Sequence, residues 1–276
     1  MNCDAVPDKL REMAELKQLK SGGATLAYHS SGPVSGPPLL LIHGITEDHR
    51  TWDELMPELS RDSRVIRIDL PGHGASSPLP EYSAPALVTP LAELVGALKL
   101  DRPHVIGHSL GGLMATLLGA LVPVRSIINV DQSLRLGSFI ELVRGIAPRL
   151  SGPGFVEALN EEMELLGGPR LPERVRRELR GYRIEARRPV VLGLWLPLVE
   201  QTEEAVVATL TPLLRQVRAP YLSLHGSDPG PGYEAWLREL VPSARVETWE
   251  GLGHWLHRVE PERFVGRVRE FRREAG

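Results

Sequence analysis

Short apolar runs recur along the chain, and most of them stop at a glycine, an aspartate or a serine. "PLLLIHG" (38–44), "RVIRIDL" (64–70), "HVIGHS" (104–109), "SIINVD" (126–131), "YLSLHG" (221–226) and "RVETWEG" (245–251) are strand candidates. Several are apolar on consecutive positions, as parallel strands must be when both faces of their sheet are covered. "TLAYHS" (25–30) alternates instead and predicts a hairpin strand. Between these runs, apolar residues return with helical spacing at 84–98, 110–121, 233–240 and 261–274. Strands alternating with helices over this length predict an α/β protein with a doubly wound, mostly parallel sheet.

The rhythm changes between Gln132 and Pro212. "GSFIELVRGIAPRL", "FVEALNEEMELL", "PERVRRELRGYRIEA" and "EEAVVATLTPLLRQV" read as helices, with "GGPRLP" as a connection and no convincing strand. An all-helical insertion between two strands emerges at the C-terminal edge of the sheet, where open α/β folds bind ligands. The expected organisation is a core of 1–131 and 213–276 with a helical lid at 132–212. The apolar "VVLGLWLPLVE" (190–200) suggests a wall against a substrate, with Trp195 as a candidate contact. The plainer alternative is that Trp195 only packs the lid onto the core. No internal repeat is evident.

Composition narrows the partners. A net charge of −3, with 24% charged and 42% hydrophobic residues, gives no electrostatic reason to expect nucleic acid or membrane. The arginine-rich "ERVRRELRGYRIEARR" (173–188) reads as the solvated face of a helix. Cys3 is the only cysteine, so neither a disulfide framework nor a cysteine-based zinc site can form within the chain. The start, "MNCDAVPDKLREMAELKQLK", lacks the apolar core of a signal peptide, and no run approaches the roughly 20 apolar residues that span a bilayer. A cytoplasmic location is expected. No G-x-G-x-x-G follows the early strands, and "SGPGF" and "GPGYE" are proline-bearing turns, so no dinucleotide cofactor is expected, and with no plausible metal cluster in the sequence no metal is expected.

Chemistry concentrates in Gly107-His108-Ser109-Leu110-Gly111, a G-x-S-x-G at a predicted strand–helix junction. The turn there must be sharp enough to strain the serine, and the small neighbours leave room for it. The following helix N-terminus aims its dipole and free N–H groups at the same spot. Ser109 is therefore placed to attack a carbonyl and to have the resulting oxyanion stabilised. The competing reading is a glycine-rich turn with an incidental serine.

"LLLIHG" with Trp52 eight residues beyond Gly44, "DLPGHGASS" (69–77), "GHSLGG" (107–112) and "GLGHW" (251–255) occur in that order. Together they make the chain resemble an α/β-hydrolase across roughly 20–131 and 213–276. The resemblance implies that His254 is the base which activates Ser109, with His43 and His73 shaping loops; His257 is a weaker rival by its closeness to His254 in the sequence. The resemblance also implies an oxyanion hole formed by the backbone N–H groups of Ile45 and Leu110.

The acid that orients the base has two candidates, each at the end of a predicted strand. Asp228 in "LHGSDPGPG" follows the strand that most often carries the family's acid, but it lies one residue closer to Gly226 than is usual, and Pro229 fills the customary slot. Asp131 in "IINVDQS" occupies the position used by a subset that includes some haloalkane dehalogenases, the luciferases that resemble them and zearalenone lactonases. Asp131 is favoured, with Asp228 as the alternative. A serine at position 109 excludes the carboxylate-nucleophile branches of the family, the dehalogenases and epoxide hydrolases. The expected activity is hydrolysis of a carboxylic ester or lactone through an acyl-enzyme. Hydrolysis of a carbon–carbon bond beside a carbonyl, or cofactor-free perhydrolysis, uses the same constellation. A hydrolase fold retained as a binding protein is the alternative from another class. The expected partner is a small-molecule ester or lactone, and a monomer and a homodimer are both compatible with the sequence.

Overall fold

The computed structural model describes residues 16–276; Cys3 and most of the charged N-terminal stretch lie outside the described residues. Among the described residues there are eight strands: β1 (Lys17–Ser21), β2 (Ala24–Ser31), β3 (Pro38–Ile42), β4 (Arg64–Ile68), β5 (His104–His108), β6 (Ser126–Val130), β7 (Tyr221–His225) and β8 (Ala244–Thr248). They form one sheet in the order β1-β2-β4-β3-β5-β6-β7-β8. β1 and β2 run antiparallel to their neighbours, and every pairing from β4 to β8 is parallel. All seven strand candidates are therefore strands. The additional β1, "KQLKS", carries a single apolar residue on a largely exposed edge, so neither alternation nor an apolar run announced it.

The period of two in the strands sorts their side chains onto two faces. Leu40, Ile42, Ile66, Ile68, Val105 and Ile127 pack against α2 (Ala84–Ala97), α3 (Leu110–Leu121) and α9 (Tyr233–Leu240). Leu39, Leu41, Val65, Ile106, Ile128 and Leu222 face the other way, against Trp52, Leu55 and the Phe264, Val268 and Phe271 stripe of α11 (Pro261–Glu274). Trp52 lies in a 3₁₀ turn, His49–Leu55, that leads into the short α1 (Met56–Leu59). Helices on both faces of a mostly parallel sheet make the doubly wound architecture expected from the sequence.

Five helices separate β6 from β7: α4 (Gly137–Leu150), α5 (Phe155–Leu166), α6 (Glu173–Glu185), α7 (Arg188–Val199) and α8 (Glu203–Leu214). α7 was not among the helices predicted, because it is apolar on nearly every side and shows no amphipathic period. It sits between two cores, with Val190 in the cluster against the sheet and Val191 and Trp195 in a cluster with Val143, Ile146, Leu150, Phe155 and Leu159. α8 runs through the expected boundary at 212 and places Leu210 and Leu214 in the cluster against the sheet.

The arginine-rich α6 is only partly a solvated face. Val175, Leu179 and Tyr182 bury against Met163, Leu171 and Trp255. Arg183 is itself buried, donating to Glu162 Oε2 at 3.0 Å and to the Leu159 carbonyl at 2.9 Å. The apolar positions at i, i+4 and i+7 carried that outcome, but the arginine spacing concealed it.

Candidate active site

β5 ends at His108, and α3 begins two residues later, so Ser109 alone makes the turn. Its backbone takes φ 51° and ψ −123°, a region that costs an L-residue on the order of 1–3 kcal/mol and that its surroundings must enforce. The Ser109 N–H donates to the Val130 carbonyl at 2.9 Å, fastening the turn to the neighbouring strand. A Cβ at Gly107 would collide with the Gly111 carbonyl, and one at Gly111 with the Ile42 carbonyl. Only glycine fits at either position. The turn faces the loop after β3: a Cβ on Gly44 would lie 3.3 Å from Ser109 Cβ and 3.0 Å from His108 Nδ1. Ile45, next in that loop, packs on the Trp195 cluster of the insertion. The free N-terminus of α3, starting at Leu110, points into the same space.

Asp131 follows β6 with φ 53°, and Val130 is paired with His108 on one side and Leu224 on the other. The carboxylate is thereby delivered to the sheet edge beside Ser109. His254 Nδ1 lies 2.6 Å from Asp131 Oδ2, while the Gly226 N–H donates to Asp131 Oδ1 at 2.7 Å. Donation from Nδ1 leaves Nε2 as the acceptor nitrogen. The His254 backbone is held by its own N–H donating to the Leu166 carbonyl at 2.9 Å. Burial disfavours both charges, yet the pair outweighs it: Asp131 is shifted below the usual carboxylate range and His254 above its usual value. Glu162 and Glu47 add negative potential at His254. Asp228 lies apart, exposed, with Oδ1 accepting from the Gly230 N–H at 2.9 Å. Among the described residues Ser109 Oγ makes no hydrogen bond to His254, a contact that often tightens only with substrate bound.

Behind this edge lies a buried polar cluster that the sequence did not single out. Glu47 Oε1 accepts from Trp255 Nε1 at 2.6 Å, and Oε2 accepts from the Gly44 N–H at 3.2 Å. His108 Nδ1 is 3.3 Å from the same Oε2, and His108 Nε2 donates to the His254 carbonyl at 2.9 Å. Burial opposes the charge on Glu47, but the field of His108 and the hydrogen bonds from His108 and Trp255 hold its carboxyl well below the usual range. In "ITEDHR" nothing distinguishes Glu47 from the polar loop residues beside it.

Residues 39–267 match the alpha/beta hydrolase family. The chain belongs to that family. Among curated relatives, the pimeloyl-[acyl-carrier protein] methyl ester esterase of Aeromonas hydrophila is 31% identical over 254 residues, covering 86% of this chain and 95% of the relative. A serine hydrolase-like protein of Danio rerio is 40% identical over 105 residues, and the chain spans only 32% of that relative's length. Among solved structures, the esterase RhEst1 of Rhodococcus sp. ECU1013 superposes with a TM-score of 0.79 at 25% identity, covering 95% of this chain and 99% of that one.

The remaining residues proposed for this hydrolase-family fold take varied places. His43 donates from Nδ1 to the Gly44 carbonyl at 2.7 Å and accepts from the Leu70 N–H at 2.9 Å, bracing the loop. His73 is buried, with its ring 5.0 Å from that of His43. His257 is wholly buried beneath His108, its ring 4.6 Å away, and neither nitrogen has a hydrogen-bond partner among the described residues. Trp195 is buried within the insertion, edge-on to Phe139 at 5.4 Å. His225, overlooked in the sequence, lies 3.9 Å from Asp131 Oδ1 through Nδ1. Asp48, His49 and Asp69 bring ligand atoms within 4.8 Å of one another. Their acceptors are already engaged: Asp48 by Arg50, and Asp69 by His49 and the Ala75 N–H. That group fits a loop brace better than a metal centre. Among the described residues no helix is long and apolar enough to cross a membrane.

Proposed function

We propose that the protein hydrolyses a carboxylic ester or lactone through an acyl-enzyme on Ser109. The observation that carries this reading is the Asp131–His254 contact at 2.6 Å, on the same sheet edge as the strained Ser109 turn. His254 Nε2 takes the Ser109 proton as Oγ attacks the carbonyl carbon, and the Ile45 and Leu110 N–H groups receive the oxyanion. Collapse of the tetrahedral adduct expels the alcohol, which takes the proton from His254. Water, activated by the same imidazole, then releases the acid. Asp131 holds the tautomer and balances the imidazolium.

The helices from α4 to α8 serve as a lid over this edge. Ile45 packs on their apolar cluster, so the group presented to Ser109 passes an apolar wall, which favours uncharged acyl or alcohol moieties. The Aeromonas relative, named for a methyl ester, supports the ester reading.

Ser109→Ala tests the proposal. The variant keeps the fold and loses on the order of 10⁴–10⁶ in turnover of a short chromogenic ester, together with labelling by a serine-directed phosphonate. Retention of a tenth of the activity on every ester tried removes Ser109 as the nucleophile.

A further inference from the structure

We propose that Glu47 is a positioning residue for this reaction, one carboxylate that clamps together the three segments bearing the oxyanion donor, the nucleophile and the base. The inference rests on the assignment of Ser109 and His254 above. Its ground is the identity of the partners. Glu47 accepts from Gly44, the neighbour of Ile45, and from Trp255, the neighbour of His254, and it faces His108, the neighbour of Ser109. His108 extends the clamp by donating to the carbonyl of His254 itself. Each contact is made one residue away from a reacting group, and the side chains of Glu47 and His108 are each only 1% exposed.

Burying a carboxylate is costly, and well-packed apolar residues commonly stabilise a core as well or better. What an apolar side chain cannot do is fix three separate chain segments in one geometry through directional hydrogen bonds. The segments are far apart along the chain: Gly44, His108 and Trp255 come from the ends of β3, β5 and the stretch after β8. Because His108 Nε2 donates to the His254 carbonyl, Nδ1 is the ring nitrogen directed at Glu47. The N–H donors from Gly44 and Trp255 favour the charged form of the carboxylate. The wholly buried His257 ring closes the cluster from below.

Glu47→Gln preserves the shape, but its single amide oxygen cannot accept from both the Gly44 N–H and Trp255 Nε1. One of the three segments is released. On a minimal acetate ester the variant loses between about 10- and 100-fold in kcat, with KM within about threefold of the parent, because small misplacements of reacting groups cost this much. Inhibition by a trifluoromethyl ketone, which forms a tetrahedral adduct with the serine, weakens by the same factor as kcat. A merely structural carboxylate would lower the melting temperature and leave both quantities unchanged well below it. Trp255→Phe keeps the ring and removes one donor, and it loses about 3- to 10-fold in kcat with the same parallel loss of inhibition; it decides the matter if Glu47→Gln does not fold. A folded variant with kcat and ketone inhibition within twofold of the parent overturns the proposal. If the parent protein itself fails to react with a serine-directed phosphonate, the nucleophile assignment falls first and this inference with it. If the parent reacts and the variants react equally fast, only the role of Glu47 falls.

Discussion

Replacing Asp131 by asparagine exchanges one oxygen for an amide nitrogen and leaves the side chain's shape alone. The Gly226 N–H at 2.7 Å requires an acceptor, so the asparagine oxygen takes the Oδ1 position and its NH₂ group faces His254 Nδ1. Nδ1 must then accept, which moves the imidazole proton to Nε2 and removes the lone pair that would take the Ser109 proton. The charge that balances the imidazolium is lost in the same step. Loss of the correct tautomer costs about 10⁴ in kcat, equivalent to about 5 kcal/mol of barrier. Asp228→Asn keeps its exposed loop contact with Gly230 and stays within about twofold of the parent, as expected for a surface substitution. The assay is kcat on a short chromogenic ester, with circular dichroism to verify that both variants are folded. If Asp228→Asn shows the large loss, or if Asp131→Asn keeps more than a tenth of the parent rate, the assignment of the acid is wrong. Comparable moderate losses in both variants would mean that the carboxylates share the role.

Three further outcomes are expected. Burial lowers the His254 pKa, but the hydrogen bond and charge of Asp131 outweigh it and set the value above 6.5; in the proposed mechanism the neutral imidazole is the base, so kcat/KM falls as pH drops through an inflection above 6.5, and one at or below 6 counts against the pairing. Trp195→Ala leaves a cavity in the apolar cluster of the insertion, which costs about 3–5 kcal/mol locally and changes KM or the preferred size of large esters more than it changes turnover of an acetate; equal losses on large and minimal esters at unchanged stability would remove the lid role. Burial pushes His73 down to about 3, so below pH 6.5 the unfolded chain binds the proton and the folded one does not. Its contribution is constant above pH 6.5 and falls by about 1.4 kcal/mol per pH unit below it, and His73→Gln should flatten denaturant-derived stability between pH 6.5 and 4 by that slope.

Much of the fold follows from local patterns. A parallel strand covered on both faces has to be apolar at consecutive positions, and a helix on such a sheet has to repeat its apolar residues every three to four. Those demands are local, and α3, α9 and α11 begin and end where the periodicity places them. The turn at Ser109 is equally local, because only glycine at 107 and 111 leaves room for it. Other elements obey no local rule. β1 is a strand because β2 offers an edge to pair with, and α7 is a helix held between two apolar surfaces that its own sequence does not reveal. The arginines of α6 looked alike along the chain, yet one of them is buried against Glu162 by the packing of α5. In the candidate site, the motifs named Ser109 and His254 and left two aspartates open. Strand order places Asp131, one residue past the partner of His108, at the nitrogen of His254 and leaves Asp228 on an outer loop. Glu47 had no signal at all: its three partners lie 3, 61 and 208 residues away, and only the closure of the sheet edge brings them to one carboxylate. Periodicity and steric exclusion act between near neighbours and can be read along the chain; hydrogen-bond partners across strands exist only once the sheet has chosen its order.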